Sequence, residues 1–122
     1  MEDNMKIKRG DVYYADLGPT IGSELGGLRP VLIFQPDVGN KYSPTVVAIP
    51  MKRKTDETTS SPHVLLPAEI CGLAKDSLVM IEETRTIDKH RLKEKMGHLD
   101  KDIMEQIAEA LKESFELKPL DL

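Results

Sequence analysis

Six short runs of strand-forming residues, separated by proline, glycine and polar clusters, precede a single helical pattern near the C-terminal end. The runs span residues 11–17, 30–35, 44–51, 63–66, 77–82 and 94–99. Pro50 marks the end of the third run or an edge position, because proline cannot donate to a sheet ladder. Six strands in about a hundred residues predict a small, strongly bent sheet or barrel, with a turn at 36–40 and a polar loop at 52–61.

The C-terminal pattern predicts one amphipathic helix. Its apolar residues recur at intervals of three and four, at Ile103, Met104, Ile107, Ala108, Leu111 and Phe115. Asp100 is suited to cap the N-terminus of this helix, and Asp102 suits the positive end of the helix dipole. Acidic residues lie largely on the opposite face, at Glu105, Glu109, Glu113 and Glu116. We therefore expect the helix to cover an open side of the sheet.

Length and composition exclude several classes of protein. The 122 residues suit a single domain at 6–118, preceded by a frayed leader at 1–5. With 39% hydrophobic and 31% charged residues, the chain is not expected to be disordered. No apolar run approaches the roughly 18 residues of a membrane helix, and no signal peptide precedes residues 5–9. We therefore expect a cytoplasmic protein without membrane contact. The single Cys71 is expected to be a small buried core residue.

Charge is distributed unevenly along the chain. The net charge of −4 argues against a broadly basic nucleic-acid binder. Residues 1–54 nevertheless carry 8 Lys and Arg against 6 Asp and Glu, whereas residues 100–122 carry 3 against 7. An anionic ligand is therefore expected to favour the N-terminal half. The absence of tryptophan weakens any model in which stacked aromatic side chains hold a nucleic acid.

The segment 22–30, Gly-Ser-Glu-Leu-Gly-Gly-Leu-Arg-Pro, is the most informative candidate site. Glycine permits positive φ and close approach of the backbone to a ligand, and Pro30 keeps Arg29 out of helical geometry. An arginine that stays charged at the junction of a loop and a strand suits a phosphate or a carboxylate. The structural alternative is a salt bridge from Arg29 to Glu24 or Asp16.

Other common catalytic sites are missing from the sequence. It contains no P-loop, no dinucleotide-binding glycine motif and no nucleophile elbow. The three histidines, His63, His90 and His98, lack the spacing of metal ligands, so no metal is expected, and they are expected at structural or solvated positions.

Arg85 lies between two threonines and is the second candidate cation. Arginine and hydroxyl donors suit a phosphodiester, where charge accumulates on the nonbridging oxygens in the transition state. If the substrate is RNA, its own 2′-hydroxyl is able to act as the nucleophile. The structural alternative for Arg85 is a brace paired with Glu82, Glu83 or Asp88.

Five motifs, in order, resemble the MazF/PemK (NdoA-type) toxins. They occupy residues 8–13, 22–31, 39–45, 76–77 and 85–89, and the resemblance runs from about 5 to 117. It implies an α+β, mainly β fold: an SH3-like barrel of the plasmid-maintenance-toxin type, with a C-terminal helix, assembled as a homodimer.

The resemblance also implies an activity. The family members are metal-independent endoribonucleases, the mRNA interferases of type II toxin-antitoxin systems, and they need no cofactor. They cut single-stranded RNA at short sequences by attack of the 2′-hydroxyl, leaving a 2′,3′-cyclic phosphate and a 5′-hydroxyl. A cognate MazE-like antitoxin has a disordered tail that wraps the dimer and blocks the RNA site.

Through the motif Gly-Gly-x-Arg-Pro, the catalytic arginine of the family corresponds to Arg29. The resemblance implies that Arg29 stabilises the phosphorane or acts as an acid. The second catalytic residue of the family is a threonine, seven positions past the threonine of Ser-Pro-Thr, and that count falls on Lys52 here. A small loop shift would bring Thr55 to the same place. The residues expected to bind RNA or shape its site are Gly22, Ser23, Glu24, Arg53, Glu83 and Arg85.

Three positions depart from the family pattern. Leu25 and Glu83 stand where the family has glutamine, and Lys52 stands where it has the threonine. A lysine is still able to stabilise an anionic phosphorane. The two lost amides are groups that read base edges, so we expect an altered base preference.

Two other functions stay open at this point. A noncatalytic dimer that binds RNA or a protein partner would explain the missing threonine at Lys52. Inhibition of a topoisomerase is a third possibility, because gyrase-poisoning toxins share this fold, although fold alone is weak support for a function.

Overall fold

Seven strands and three α-helices make up the computed structural model, which describes residues 6–55 and 63–116. The strands are β1 Asp11–Asp16, β2 Leu28–Ile33, β3 Thr45–Arg53, β4 Val64–Leu66, β5 Ser77–Val79, β6 Arg85–Asp88 and β7 Leu92–His98. The helices are α1 Asp37–Tyr42, α2 Ala68–Cys71 and α3 Lys101–Ser114, with 3₁₀ turns at Ile81–Glu83 and Lys89–Arg91. The expected leader, most of the expected polar loop and residues 117–118 lie outside the described residues.

The strands form one antiparallel sheet in the order β4-β5-β3-β2-β1-β7, with β6 also paired to β3. The terminal strands β4 and β7 do not pair with each other within the described part of the chain. The expectation of a mainly β fold with a C-terminal helix is confirmed. The expected barrel is wrong because the sheet is not closed, and the sheet has seven strands rather than about six.

The seventh strand is β6, which lies beyond the run expected at 77–82 and was not predicted from the sequence. Along the same edge of β3, Met51 lies opposite Val79 and Ala48 lies opposite Arg85. Three steps along β3 (51 to 48) are thus matched by six steps along the partner (79 to 85), so three extra residues are inserted between β5 and β6. The 3₁₀ turn Ile81–Glu83 accommodates this insertion, and its Ile81 is fully buried.

Two further differences concern the ends of elements. The strand expected at 44–51 continues to Arg53, so the first two residues expected in the polar loop are paired with β5. The turn expected at 36–40 is the start of helix α1. Buried Asn40 stabilises α1 by donating through its amide to the carbonyl of Gln35, at 2.9 Å.

Strand alternation places one hydrophobic core on each face of the sheet. The helix-side core contains Val12, Leu32, Ile49 and Met51 from the strands, Cys71 from α2, and Met104, Ile107 and Leu111 from α3. The second core includes Tyr13, Ala15, Val31, Ile33 and Ala48, which alternate with those strand residues. The predictions of a covering helix and a buried Cys71 are confirmed.

Helix α3 begins as the sequence predicts. The carboxylate of Asp100 accepts a hydrogen bond from the backbone N–H of Ile103 at 3.0 Å, which satisfies one of the donors that the first turn leaves unpaired. None of the helices within the described ranges is long and apolar enough to cross a membrane.

Candidate active site

Arg29 lies on the face of the sheet that carries the second core. In the register of β1 and β2 it is opposite Ala15, which belongs to that core, as does Val31 two residues further along β2. The side chain is half-buried, and its Nε donates to the carbonyl of Gly26 at 3.1 Å. Arg29 forms no ion pair with any residue in 6–55 or 63–116, so the terminal nitrogens of its guanidinium are available to an anionic ligand.

The two carboxylates proposed as alternative partners for Arg29 are used elsewhere. Asp16 accepts from the backbone N–H of Gly18 at 2.9 Å, and Glu24 accepts from the backbone N–H of Ile21 at 2.9 Å. Each carboxylate therefore stabilises a turn of the loop that precedes Arg29. The structural alternative of a salt bridge to Arg29 is not what the molecule shows.

That loop, residues 18–27, is organised by its own hydrogen bonds. The hydroxyl of Thr20 donates to the carbonyl of Glu24 at 3.0 Å, and the N–H of Gly27 donates to the carbonyl of Gly18 at 3.0 Å. A Cβ atom at Gly26 would lie 2.7 Å from the Thr20 hydroxyl, so this position requires glycine. The glycines thus permit a compact loop that ends directly at Arg29.

Lys52 lies near the end of β3, beyond the last residue of that strand that pairs with β2. The paired residues of β2 and β3 end with Val31 opposite Pro50. Two more residues in the same register would set Arg29 across from Lys52, and residues opposite each other in a sheet project from the same face. Lys52 is half-buried and pairs on its other side with Leu78 of β5.

Glu83, in the 3₁₀ turn, contacts both Arg85 and the loop that precedes Arg29. Its Oε1 accepts from Nη2 of Arg85 at 2.9 Å and from the backbone N–H of Leu25 at 3.4 Å. Arg85 lies opposite Ala48 in the β3–β6 register, on the same face as Arg29. The brace proposed as the alternative for Arg85 is therefore present through Glu83, while a quarter of the Arg85 side chain, 26%, stays exposed.

Comparisons with known proteins identify the family of this chain. A family model described as "PemK-like, MazF-like toxin of type II toxin-antitoxin system" matches residues 8–115. The chain belongs to this toxin family. It is also 45% identical over 113 residues to the endoribonuclease EndoA of Bacillus subtilis (strain 168), covering 93% of this chain and 97% of that protein.

Solved structures of MazF toxins share the fold. The crystal structure of MazF from Deinococcus radiodurans matches with a TM-score of 0.79 at 21% identity, covering 93% of this chain and 100% of that one. Mycobacterium tuberculosis toxin MazF-mt6 matches with a TM-score of 0.72 at 26% identity, covering 89% and 99%. A mycobacterial endoribonuclease in complex with its cognate antitoxin matches with a TM-score of 0.74 at 24% identity, covering 93% and 99%.

Within this MazF-like toxin, the residues predicted for the site fall into two groups. Five belong to the loop or to the face that carries Arg29: Gly22, Ser23, Glu24, Glu83 and Arg85. Arg53 follows Lys52 in β3, so its side chain projects from the opposite face. Thr55 lies beyond the strand and lines a cavity of about 350 Å³ with Ala68 and Asp76.

The histidines of the toxin occupy the structural and solvated positions that were predicted. His63 contacts Glu82 at 2.8 Å, His90 is fully exposed, and His98 lies 2.7 Å from the buried carboxylate of Asp11. Within residues 6–55 and 63–116, no group of three or more His, Cys, Asp or Glu residues could hold a metal ion.

The sequence did not single out a basic cavity at the other end of the sheet. It encloses about 1180 Å³, and its lining includes four lysines, Lys6, Lys8, Lys41 and Lys89. Asp37 and Asp88 face the same space. The backbone N–H of Arg9 is the main cause that lowers the pKa of Asp37, so the carboxylate remains charged beside the lysines. Four lysines against two aspartates leave this cavity with a net positive charge.

Proposed function

We propose that this MazF-like toxin is a sequence-specific endoribonuclease that cleaves single-stranded RNA, with mRNA as its substrate. The observation that carries the proposal is the placement of Arg29, whose guanidinium lacks an acidic partner in the described ranges and ends a compact glycine-rich loop. Lys52 adds a second positive charge near the end of β3, and Arg85, paired with Glu83, lies on the same face as Arg29. The relative with 45% identity is itself named an endoribonuclease.

The proposed reaction needs no nucleophile from the protein. The 2′-oxygen of the RNA forms a bond to phosphorus while the bond from phosphorus to the 5′-oxygen breaks. The 2′-hydroxyl loses its proton and the 5′-oxygen gains one, which leaves a 2′,3′-cyclic phosphate and a 5′-hydroxyl. Charge grows on the nonbridging oxygens in the transition state, where Arg29 and Lys52 would stabilise it.

The loop and Glu83 would determine which bases are accepted. Gly22, Ser23 and Glu24 belong to the loop that ends at Arg29, and Leu25 offers no polar side chain. A carboxylate at Glu83 accepts hydrogen bonds but donates none. We therefore expect Glu83 to favour a base with an exposed amino group, such as cytosine or adenine, over one that presents only acceptors.

A cleavage assay tests the proposed function. Purified protein is incubated with a pool of random single-stranded RNA in the presence of EDTA, and the ends of the products are sequenced. We expect cuts at a short shared sequence, with 2′,3′-cyclic phosphate and 5′-hydroxyl ends. RNA that stays intact would contradict the proposal, and cleavage that appears only after a divalent metal is added would contradict metal independence.

Lys52 distinguishes an active toxin from a noncatalytic one. If its ammonium stabilises the phosphorane, Lys52→Ala should lower the single-turnover rate by about 10²-fold, as expected for the loss of one charge-stabilising donor. Lys52→Thr should retain most of the rate, and Lys54→Ala, which changes an exposed neighbouring lysine, should have little effect. A wild-type protein that binds RNA without cutting it, together with cleavage restored by Lys52→Thr, would establish the noncatalytic alternative.

We further propose that the toxin acts in the cytoplasm as a homodimer under the control of a MazE-like antitoxin. The mycobacterial endoribonuclease that shares the fold was solved with its cognate antitoxin, and a further structure with this fold is MazE-MazF from Deinococcus radiodurans. The exposed apolar side chains of Ile21 (83% exposed) and Leu28 (66%) flank the loop and would suit a protein partner that covers the RNA site. The topoisomerase alternative rests on fold alone.

A further inference from the structure

The 3₁₀ turn between β5 and β6 sends two adjacent carboxylates to different parts of the molecule. Glu82 contacts His63, at the start of β4. Glu83 contacts Arg85 and the backbone of Leu25, which is 58 residues away in the sequence. The turn thus bridges the outer strands and the glycine-rich loop, and Glu83 is the described side chain from this turn that reaches the loop.

The Glu83 contact lies next to the catalytic candidate. Leu25, whose N–H is held by the carboxylate, directly precedes Gly26, whose carbonyl accepts from Nε of Arg29 at 3.1 Å. A continuous series of contacts therefore leads from Arg85 through Glu83 and the loop to Arg29.

Burial strengthens this tether. The side chains of Glu83 and Arg85 are 20% and 26% exposed, so their ion pair is screened less than one at a fully exposed surface. The guanidinium of Arg85 also donates through Nε to the backbone carbonyl of Glu83 at 3.4 Å. The ion pair through Nη2 holds the Glu83 carboxylate beside Arg85, and the second bond joins the same arginine to the backbone of Glu83.

We propose that Glu83 is a positioning residue that holds the glycine-rich loop against β6 and thereby fixes the guanidinium of Arg29 for the transition state. The proposal rests on the proposed ribonuclease function. It assigns Glu83 a role in the rate of cleavage, separate from any contact with a base. The tether needs an acceptor at position 83, which a glutamine amide oxygen also supplies.

The test compares Glu83→Ala with Glu83→Gln, with Glu82→Ala as the matched control from the same turn. For each variant, kcat and KM are measured on an RNA with one cleavage site, and amide hydrogen exchange is measured over residues 22–27. We expect Glu83→Ala to lower kcat by about 10- to 100-fold, as for a misplaced catalytic group, with KM nearly unchanged and faster loop exchange. Glu83→Gln should have the kcat and the loop exchange of the wild type, and Glu82→Ala should leave loop exchange unchanged.

Two results would overturn the tether. One is Glu83→Ala with unchanged loop exchange. The other is a Glu83→Ala protein that cuts its preferred sequence with an unchanged kcat, because Glu83 would then act on base selection alone and would not position Arg29. If the wild-type protein cuts no RNA, the proposed function fails on that result alone. The exchange measurement needs no RNA, so it still supports or overturns the tether in that case.

Discussion

Arg29→Ala is expected to lower the rate of RNA cleavage by about 10²- to 10³-fold, the loss that follows removal of one donor aimed at transition-state charge. The reason is that Arg29 combines a permanent charge with a planar set of N–H donors that fits two phosphate oxygens. The measurement is a single-turnover rate on an RNA with one mapped cleavage site.

The variant should remain folded, so that the loss is one of chemistry. The described contact of the Arg29 side chain is one hydrogen bond to the carbonyl of Gly26, and the loop has its own backbone bonds. Loss of one such bond costs roughly 1 kcal/mol. Arg29→Lys keeps the charge but loses the planar fork, so its rate should lie between those of the wild type and Arg29→Ala.

Arg9→Ala is the matched control. Its guanidinium lies over the ring of Phe34, 4.4 Å from the ring centroid, and Phe34 packs against the helix-side core. This arginine therefore belongs to the other side of the sheet, and its removal should leave the cleavage rate unchanged. If Arg29→Ala cuts at the wild-type rate, or if Arg9→Ala loses as much, the assignment of Arg29 as the phosphate-stabilising residue is wrong.

The sequence predicts much of the fold because strands and helices leave different periods in it. Helix α3 was predicted with its cap because the repeat of three and four residues and the side chain of Asp100 are local signals. The three-residue insertion between β5 and β6 could not be predicted, because it is defined only by pairing with β3. The continuation of β3 to Arg53 likewise depends on β5 as its partner.

In the candidate site, too, local features could be predicted and contacts between distant segments could not. Arg29 could be predicted because its loop and its proline are neighbours in the chain. The sequence could not show whether an acid pairs with Arg29. Asp16 and Glu24, the two candidates, accept hydrogen bonds from nearby backbone N–H groups instead. The contact from Glu83 to Leu25 joins two distant segments, and neither segment carries a local signal for it.

Gly72→Ala is expected to destabilise the fold more than any other substitution proposed in this article. Gly72 ends helix α2 in the left-handed region, with φ of +78°, and α2 lies directly against β7. A Cβ at this position would lie 2.1 Å from the carbonyl oxygen of Met96 and 2.9 Å from its carbonyl carbon. Both atoms belong to the backbone of a strand, so they are unable to move aside as a flexible side chain would.

The expected loss in the free energy of unfolding exceeds about 4 kcal/mol, out of a typical total of 5–15 kcal/mol. The melting temperature should therefore fall by roughly 15 °C or more. Gly27→Ala separates the steric clash from the backbone strain, because Gly27 has a similar φ of +71° but no atom within 4 Å of its added Cβ. That control should lose only about 1 kcal/mol, from backbone strain alone. Equal losses in denaturant unfolding of the two variants would mean that α2 and β7 do not approach each other this closely.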